Sequence, residues 1–194
     1  MKKRNSILLV VVIAVAILFA IWMTEQATAP SIEPEDPSSE ANVTNFLECE
    51  AAGNPVMESY PRQCRHGDET FTEDIGNELD KMDLIRIDSP RPNAVIESPL
   101  TVIGQARGTW FFEASFPVVL VDWDGLIVAE GNAATKADWM TEEFVPFEAE
   151  LIFAPDPNVY SNRGTLILRK DNPSGLPEHD DALEVPVLIG AGTR

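Results

Sequence analysis

Phe116–Asn132 reads FPVVLVDWDGLIVAEGN, two apolar stretches of strand length on either side of Asp122-Trp123-Asp124-Gly125. Asp-Gly between such stretches is a strong short-range signal of a β-hairpin, because the tight turn needs backbone conformations that these residues tolerate. Strands are therefore predicted over Phe116–Asp122 and Leu126–Asn132. On either side, further short apolar stretches recur between Gly, Pro, Asn and Asp: Leu84–Asp88, Leu100–Ala106, Glu143–Phe153, Gly164–Lys170 and Leu183–Ile189. No long stripe of helical period interrupts them. In Glu143–Phe153, Val145, Phe147, Ala149, Leu151 and Phe153 share one parity and Glu148 and Glu150 the other, so one face is apolar and the other solvated. Leu166 and Leu168 repeat the pattern, as do Val185, Val187 and Ile189. Pro186, which lacks an amide donor, marks the last of these as an edge strand. About seven short strands with turns at these spacings predict an all-β, immunoglobulin-like β-sandwich over residues 84–190.

Ahead of the sandwich the chain changes character. Ile7–Met23 is ILLVVVIAVAILFAIWM, uncharged and directly behind Lys2, Lys3 and Arg4. Its length suits a short membrane-spanning helix and exceeds the apolar core of most cleaved signal peptides. Residues 1–23 are thus expected to be a cytoplasmic flank and a transmembrane anchor, with the positive end held inside. Ala27-Thr28-Ala29 fits a signal-peptidase site, and cleavage near Ala29 would make the protein secreted instead. Residues 24–44, rich in Pro, Ser, Ala and Glu, bury too little apolar surface to offset chain entropy and are expected to be a disordered stalk.

The chain has 194 residues and a formal net charge of -18. Of its 14 Lys and Arg, three precede the apolar run, so 11 face 32 Asp and Glu beyond it, a net of -21. Such a field repels phosphate backbones, and nucleic acid is excluded as a partner. Two cysteines occur, Cys49 and Cys64, both beyond the apolar run, where an oxidising compartment is expected. They are expected to form a single disulfide, worth about 3 kcal/mol in the chain-entropy description. Too few ligands of the right type surround them for zinc, and no metal or cofactor is expected. Residues 45–76 hold few apolar side chains: Phe46, Val56, Met57, Tyr60 and Phe71 are the expected miniature cluster, with the disulfide as its staple.

Two resemblances sharpen this reading. The pattern Cys49, Gly53, Pro55, Val56, Tyr60, Pro61 and Cys64, followed by Gly67 and Phe71, resembles a short two-cysteine element of bacterial envelope proteins. From Ile85 to about Ile189 the chain resembles the immunoglobulin-like domain of bacterial spore germination. The residues that carry this likeness include Ser98-Pro99-Leu100, Gly104-Gln105-Ala106-Arg107, Trp110-Phe111-Phe112-Glu113, Phe116-Pro117-Val118, Asp138-Trp139 and Phe147. The likeness implies a β-sandwich in an envelope setting and no stated activity.

Catalytic constellations are sparse. Ser174 near His179 and Asp180 has the residue types of a nucleophilic triad, but Asn172–Asp181 reads as a polar loop whose Ser, Gly and Pro are ordinary turn residues. Asp122 with Asp124, and Glu142 with Glu143, are pairs that this acidic composition produces by itself, and Asp122-x-Asp124-Gly125 lacks the later Glu of a calcium loop. Arg62 on the loop between the cysteines has the look of a protease-inhibitor residue, without the several disulfides such loops need. Trp110, Trp123 and Trp139 are the candidate binding surface, since Trp is enriched where proteins meet partners. If extended, Trp110 and Phe111 would point to opposite faces, leaving one of them outward. The expected function is a non-catalytic extracytoplasmic interaction module, tethered to the membrane, that binds an envelope protein or a cell-wall polymer. The alternatives are a cell-wall carbohydrate-active or other hydrolytic domain and a structural spacer.

Overall fold

The computed structural model describes residues 43–156 and 158–190. The apolar run, the Ala27–Ala29 motif and the stalk up to Asn42 lie outside the described residues, among which no helix is long and apolar enough to cross a membrane. Helix α1 (Phe46–Ala51) is followed by β1 (Val56–Met57), β2 (Gln63–His66) and β3 (Glu69–Thr72), then by a single-turn helix α2 (Glu78–Lys81). The remaining strands are β4 (Ile85–Ser89), β5 (Val95–Ile96), β6 (Leu100–Arg107), β7 (Ser115–Asp122), β8 (Ile127–Ala134), β9 (Phe144–Leu151), β10 (Arg163–Arg169) and β11 (Ala182–Ile189).

β1, β2 and β3 form a small sheet, while the other strands run in the order β4-β6-β9-β8-β7-β10-β11-β5. Between β9 and β8 the only pair is Ala134 with Glu148, so the sheet folds there into two layers, β4-β6-β9 and β8-β7-β10-β11-β5. One core lies between them. All seven strands expected from the sequence are present, with ends displaced by a residue or two, in an all-β, immunoglobulin-like sandwich. The two-residue β5 was not expected, being too short to show alternation; it pairs parallel with the end of β11.

Alternation decides which side chains enter the core. Along β9, Val145, Phe147, Ala149 and Leu151 are buried, and Pro146, Glu148 and Glu150 are exposed. Phe116 of β7 is fully buried and meets Phe111 and Phe147 edge-on, with ring centroids 5.1 and 4.9 Å away. The expectation that Trp110 or Phe111 points outward fails. Gly108–Trp110 is a 3-10 turn, so the two side chains do not alternate, and both are buried while Phe112 is exposed. Gly108 lets the loop before β9 close over this turn, for a Cβ there would lie 2.0 Å from the Thr141 carbonyl oxygen and 2.1 Å from that of Trp139.

The two-cysteine segment is a small folded unit. Cys49 on α1 and Cys64 on β2 are disulfide-bonded, with Cα atoms 6.0 Å apart. Asn45 caps α1 by accepting from the Glu48 amide at 3.0 Å, and the Glu48 carboxylate accepts from the Thr44 amide and hydroxyl at 2.8 and 2.7 Å. These Thr44 bonds are the main reason the Glu48 carboxyl titrates below its ordinary range. Val43, Phe46 and the two cysteines are buried together, with Leu47, Val56 and Phe71 packed against them. Val43 and Thr44, at the end of the stretch expected as a stalk, thus belong to the folded unit. Met57 and Tyr60 do not join the cluster and are exposed.

Charged side chains fasten this unit to the sandwich. Arg62 grips the buried Glu73 with two hydrogen bonds, at 2.9 and 2.7 Å, reaches Glu50 at 2.7 Å, and covers the Phe46 ring. Burial would raise the Glu73 carboxyl, but the bonds and charge of Arg62 outweigh it and hold it low. Arg62 is therefore spent on structure and is not presented as an inhibitor residue would be. Tyr60 donates to Glu78, the other buried acid, and Arg91 joins both, at 2.9 Å to the Tyr60 hydroxyl and 3.1 Å to Glu78. Partial burial and the neighbouring Glu78 push the Tyr60 hydroxyl up to about 12.

Ahead of α2, the chain lies along the outer edge of β11. Asn77 donates from its amide to the Glu184 carbonyl, accepts from the Glu184 amide at 2.8 Å, and donates from its side chain to the Ala182 carbonyl at 3.0 Å. Further along, Asn93 donates to the Pro186 carbonyl and Leu188 to the Ala94 carbonyl. Even-numbered residues of β11 thus turn their backbone groups away from β10, and Pro186 sits where its missing donor costs no ladder bond. Gly76 permits this approach: its φ is +64, and a Cβ would fall 1.9 Å from the Glu184 carbonyl oxygen. Replacing Asn77 by Ala strips two bonds from this edge and is expected to cost about 1–2 kcal/mol in urea unfolding. A loss below a few tenths would mean that the edge is held by other contacts.

Candidate functional site

The β7–β8 hairpin presents Trp123 at its tip. The turn holds itself, because the Asp122 carboxylate accepts from the amides of Asp124 and Leu126, each at 2.9 Å. Pairing of Gly164 with Asp122 brings the β9–β10 connection alongside this tip. Tyr160, on that connection, is 90% exposed and lies against Trp123, itself 47% exposed; the ring centroids are 5.4 Å apart and tilted by 54°. Leu126, Ile127 and Val159 add exposed aliphatic surface nearby in sequence. An exposed Trp–Tyr pair edged by aliphatic side chains offers a large, stiff contact area at a small cost in side-chain entropy.

Only one of the three tryptophans expected at a binding surface has this character. Trp110 lies in the core, for the reason given above, and its Nε1 has no hydrogen-bond partner among the described residues. Trp139 is half-buried and packs against the core from the β8–β9 loop. Trp123, by contrast, gains Tyr160, a residue that carries no local signal and reaches the hairpin only through strand pairing.

The loop holding Ser174 and His179 brings those two side chains into contact, Oγ to Nδ1 at 3.0 Å, on the exposed surface. The third member goes elsewhere: Asp180 accepts from Asn172 at 2.7 Å. Ser174 also touches the Asn172 Oδ1 at 2.5 Å and accepts from the Leu176 amide at 3.2 Å. This is a network that closes a loop on itself, and among the described residues no carboxylate bonds to the imidazole to orient it. The Asp122 carboxylate is occupied by its turn, and Glu143 stands 3.9 Å from Arg107 on the surface. An open hollow of about 530 Å³ is lined by side chains of both signs, with Lys81 and Asp181 paired at 2.5 Å, so it offers no focus of one charge.

No curated protein and no solved structure matches the chain. A family model does match, from Leu84 to Gly175, so its span ends ahead of β11, short of the Ile189 limit read from the sequence. Over residues 84–175 the chain is thus similar to the family described as the immunoglobulin-like domain of bacterial spore germination.

Proposed function

We propose that this protein is a non-catalytic interaction module, held on the outer side of a bacterial membrane by its N-terminal apolar run, that binds an envelope partner through the Trp123–Tyr160 end of the sandwich. The exposed pair of aromatic rings in tilted contact is the observation that carries this reading. Trp and Tyr are enriched where proteins meet partners, which favours a protein over a wall polymer. The disulfide and the acidic surface fit an oxidising, ion-rich exterior.

The test is capture from envelope extracts with the full-length chain as bait, in parallel with sedimentation against purified cell-wall polymer. A W123A/Y160A variant is expected to lose about 30-fold or more of its affinity for the captured partner, as removal of a hot-spot pair does. Unchanged capture by that variant would remove the hairpin end from the interaction. Binding to the wall polymer alone would replace the protein partner with the polymer.

A further inference from the structure

The two segments that form the Trp123–Tyr160 tip carry charge of one sign. Residues 122–127 and 152–162 hold three acids, Asp122, Asp124 and Asp156, and no Lys or Arg. None of the three is ion-paired among the described residues. Asp122 and Asp156 each spend one oxygen, Oδ1, on their own turns: Asp122 as described above, and Asp156 by accepting from the Asn158 amide at 2.9 Å and from its side chain at 3.3 Å. Asp124 is exposed, and its side chain makes no hydrogen bond among the described residues. Arg163 follows the second segment, but its charge is shared with α1. The Thr44 bonds come first in holding the Glu48 carboxyl low, and Arg163 adds to them. The rings themselves are open. Their tilt of 54° keeps them from stacking face to face, and Leu126 and Ile127 beside them in the chain are 64% and 57% exposed.

We propose that the partner segment docked on this tip is cationic: it lays an Arg or Lys side chain against the faces of Trp123 and Tyr160, its charge met by Asp124 and Asp156. The inference rests on the reading of this end as the binding end and adds the chemistry of what binds. Charge selects the occupant. An acidic segment or a phosphate-bearing wall polymer would meet carboxylates on both loops, in a chain of net charge -18. A neutral apolar segment would take Asp124 out of water with nothing to pair it. A cation gains twice, because the face of an aromatic ring carries the negative end of its quadrupole and the carboxylates stand beside it. The planar guanidinium of Arg also stacks on such a face. Aliphatic neighbours in the same segment would cover Leu126, Ile127 and Val159, which lie exposed on the two loops.

The probe is a synthetic peptide of alternating Arg and Leu, set against the same peptide with citrulline, neutral and of the same shape, in place of Arg. Binding of each to full-length chains in one detergent is measured by calorimetry. The native chain is expected to hold the Arg peptide at least about tenfold more tightly than the citrulline peptide. W123L/Y160L keeps apolar bulk without ring faces, and D124N/D156N removes charge while keeping the oxygen that holds the second turn. Each should cut the preference to about threefold or less. E148Q/E150Q removes the same charge from the outer face of β9 and should leave the preference intact, which separates the tip from the general acidic field. All the substituted side chains are exposed, so folding should survive; ellipticity checks this. Equal binding of the two peptides by the native chain would overturn the proposal, as would a loss in E148Q/E150Q as large as in D124N/D156N. Capture of the envelope partner separates this inference from the reading beneath it. If W123A/Y160A weakens capture and D124N/D156N does not, the tip binds but its partner is not cationic, and this inference alone falls. If W123A/Y160A leaves capture unchanged, both fall.

Discussion

Phe116→Ala is expected to destabilise the sandwich by about 3–5 kcal/mol, the cost of deleting a large buried ring whose surroundings relax only in part. Phe116 is fully buried, and its edge-on contacts with Phe111 and Phe147 are each worth about 0.5–1.5 kcal/mol beyond area burial. The three rings come from different places: Phe147 from β9 in one layer, Phe116 from β7 in the other, and Phe111 from the segment between β6 and β7. Removing the central ring loosens the seam between the layers. Against a total stability of about 5–15 kcal/mol for an ordinary domain, a loss this large lowers the urea midpoint steeply. Tyr160→Ala, at a ring left in solvent, should change stability by no more than about 0.5 kcal/mol. A loss under about 1.5 kcal/mol for Phe116→Ala would place the centre of the core elsewhere.

The second large effect belongs to the disulfide. C49S/C64S is expected to cost about 3 kcal/mol, close to the loop-closure value, and to concentrate the damage in α1 to β3. Both cysteines lie in the apolar cluster of this unit, whose other buried members among the described residues are Val43 and Phe46. Two hydroxyls in that setting would also be buried without assured partners. As the unit opens, Arg62 leaves Glu73 and Tyr60 leaves Glu78, so both acids rehydrate. Hydrogen exchange should then show lost protection over Phe46–Thr72 and retained protection in β6, β7, β9 and β10. Equal loss in those core strands would mean that segment and sandwich unfold as one cooperative unit.

How much of this was legible beforehand depends on the range over which each signal acts. The seven strands of the sandwich, the Asp-Gly hairpin, the inward set of β9 and the Cys49–Cys64 bond were all readable, because period-two patterns, turn residues and a single cysteine pair act locally or leave no alternative. The tryptophans were not. Trp110 went inward because the chain coils into a 3-10 turn at that point, which no alternation rule detects. Tyr60 and Arg62, read as cluster and loop residues, were claimed by Glu78 and Glu73 from the connection to the sandwich.

The outer face of the larger layer shows the same division. The four-residue apolar run in β7 was visible as composition, but its meaning needed the register that sets Val119 beside Ile167 and Glu130, and Val121 beside Thr165 and Ile127. The sequence by itself determined the class of fold, the strands, the staple and the acidic exterior, since each follows from the order of side chains along a short stretch. Tertiary structure alone decided that Tyr160 meets Trp123, that Asn77 closes the edge of β11, and that Arg163, Arg169, Glu130 and Glu184 share one face. These meetings join segments remote in the chain. They are set by which strand lies beside which, and that choice is made by the shared core rather than by any local run of residues.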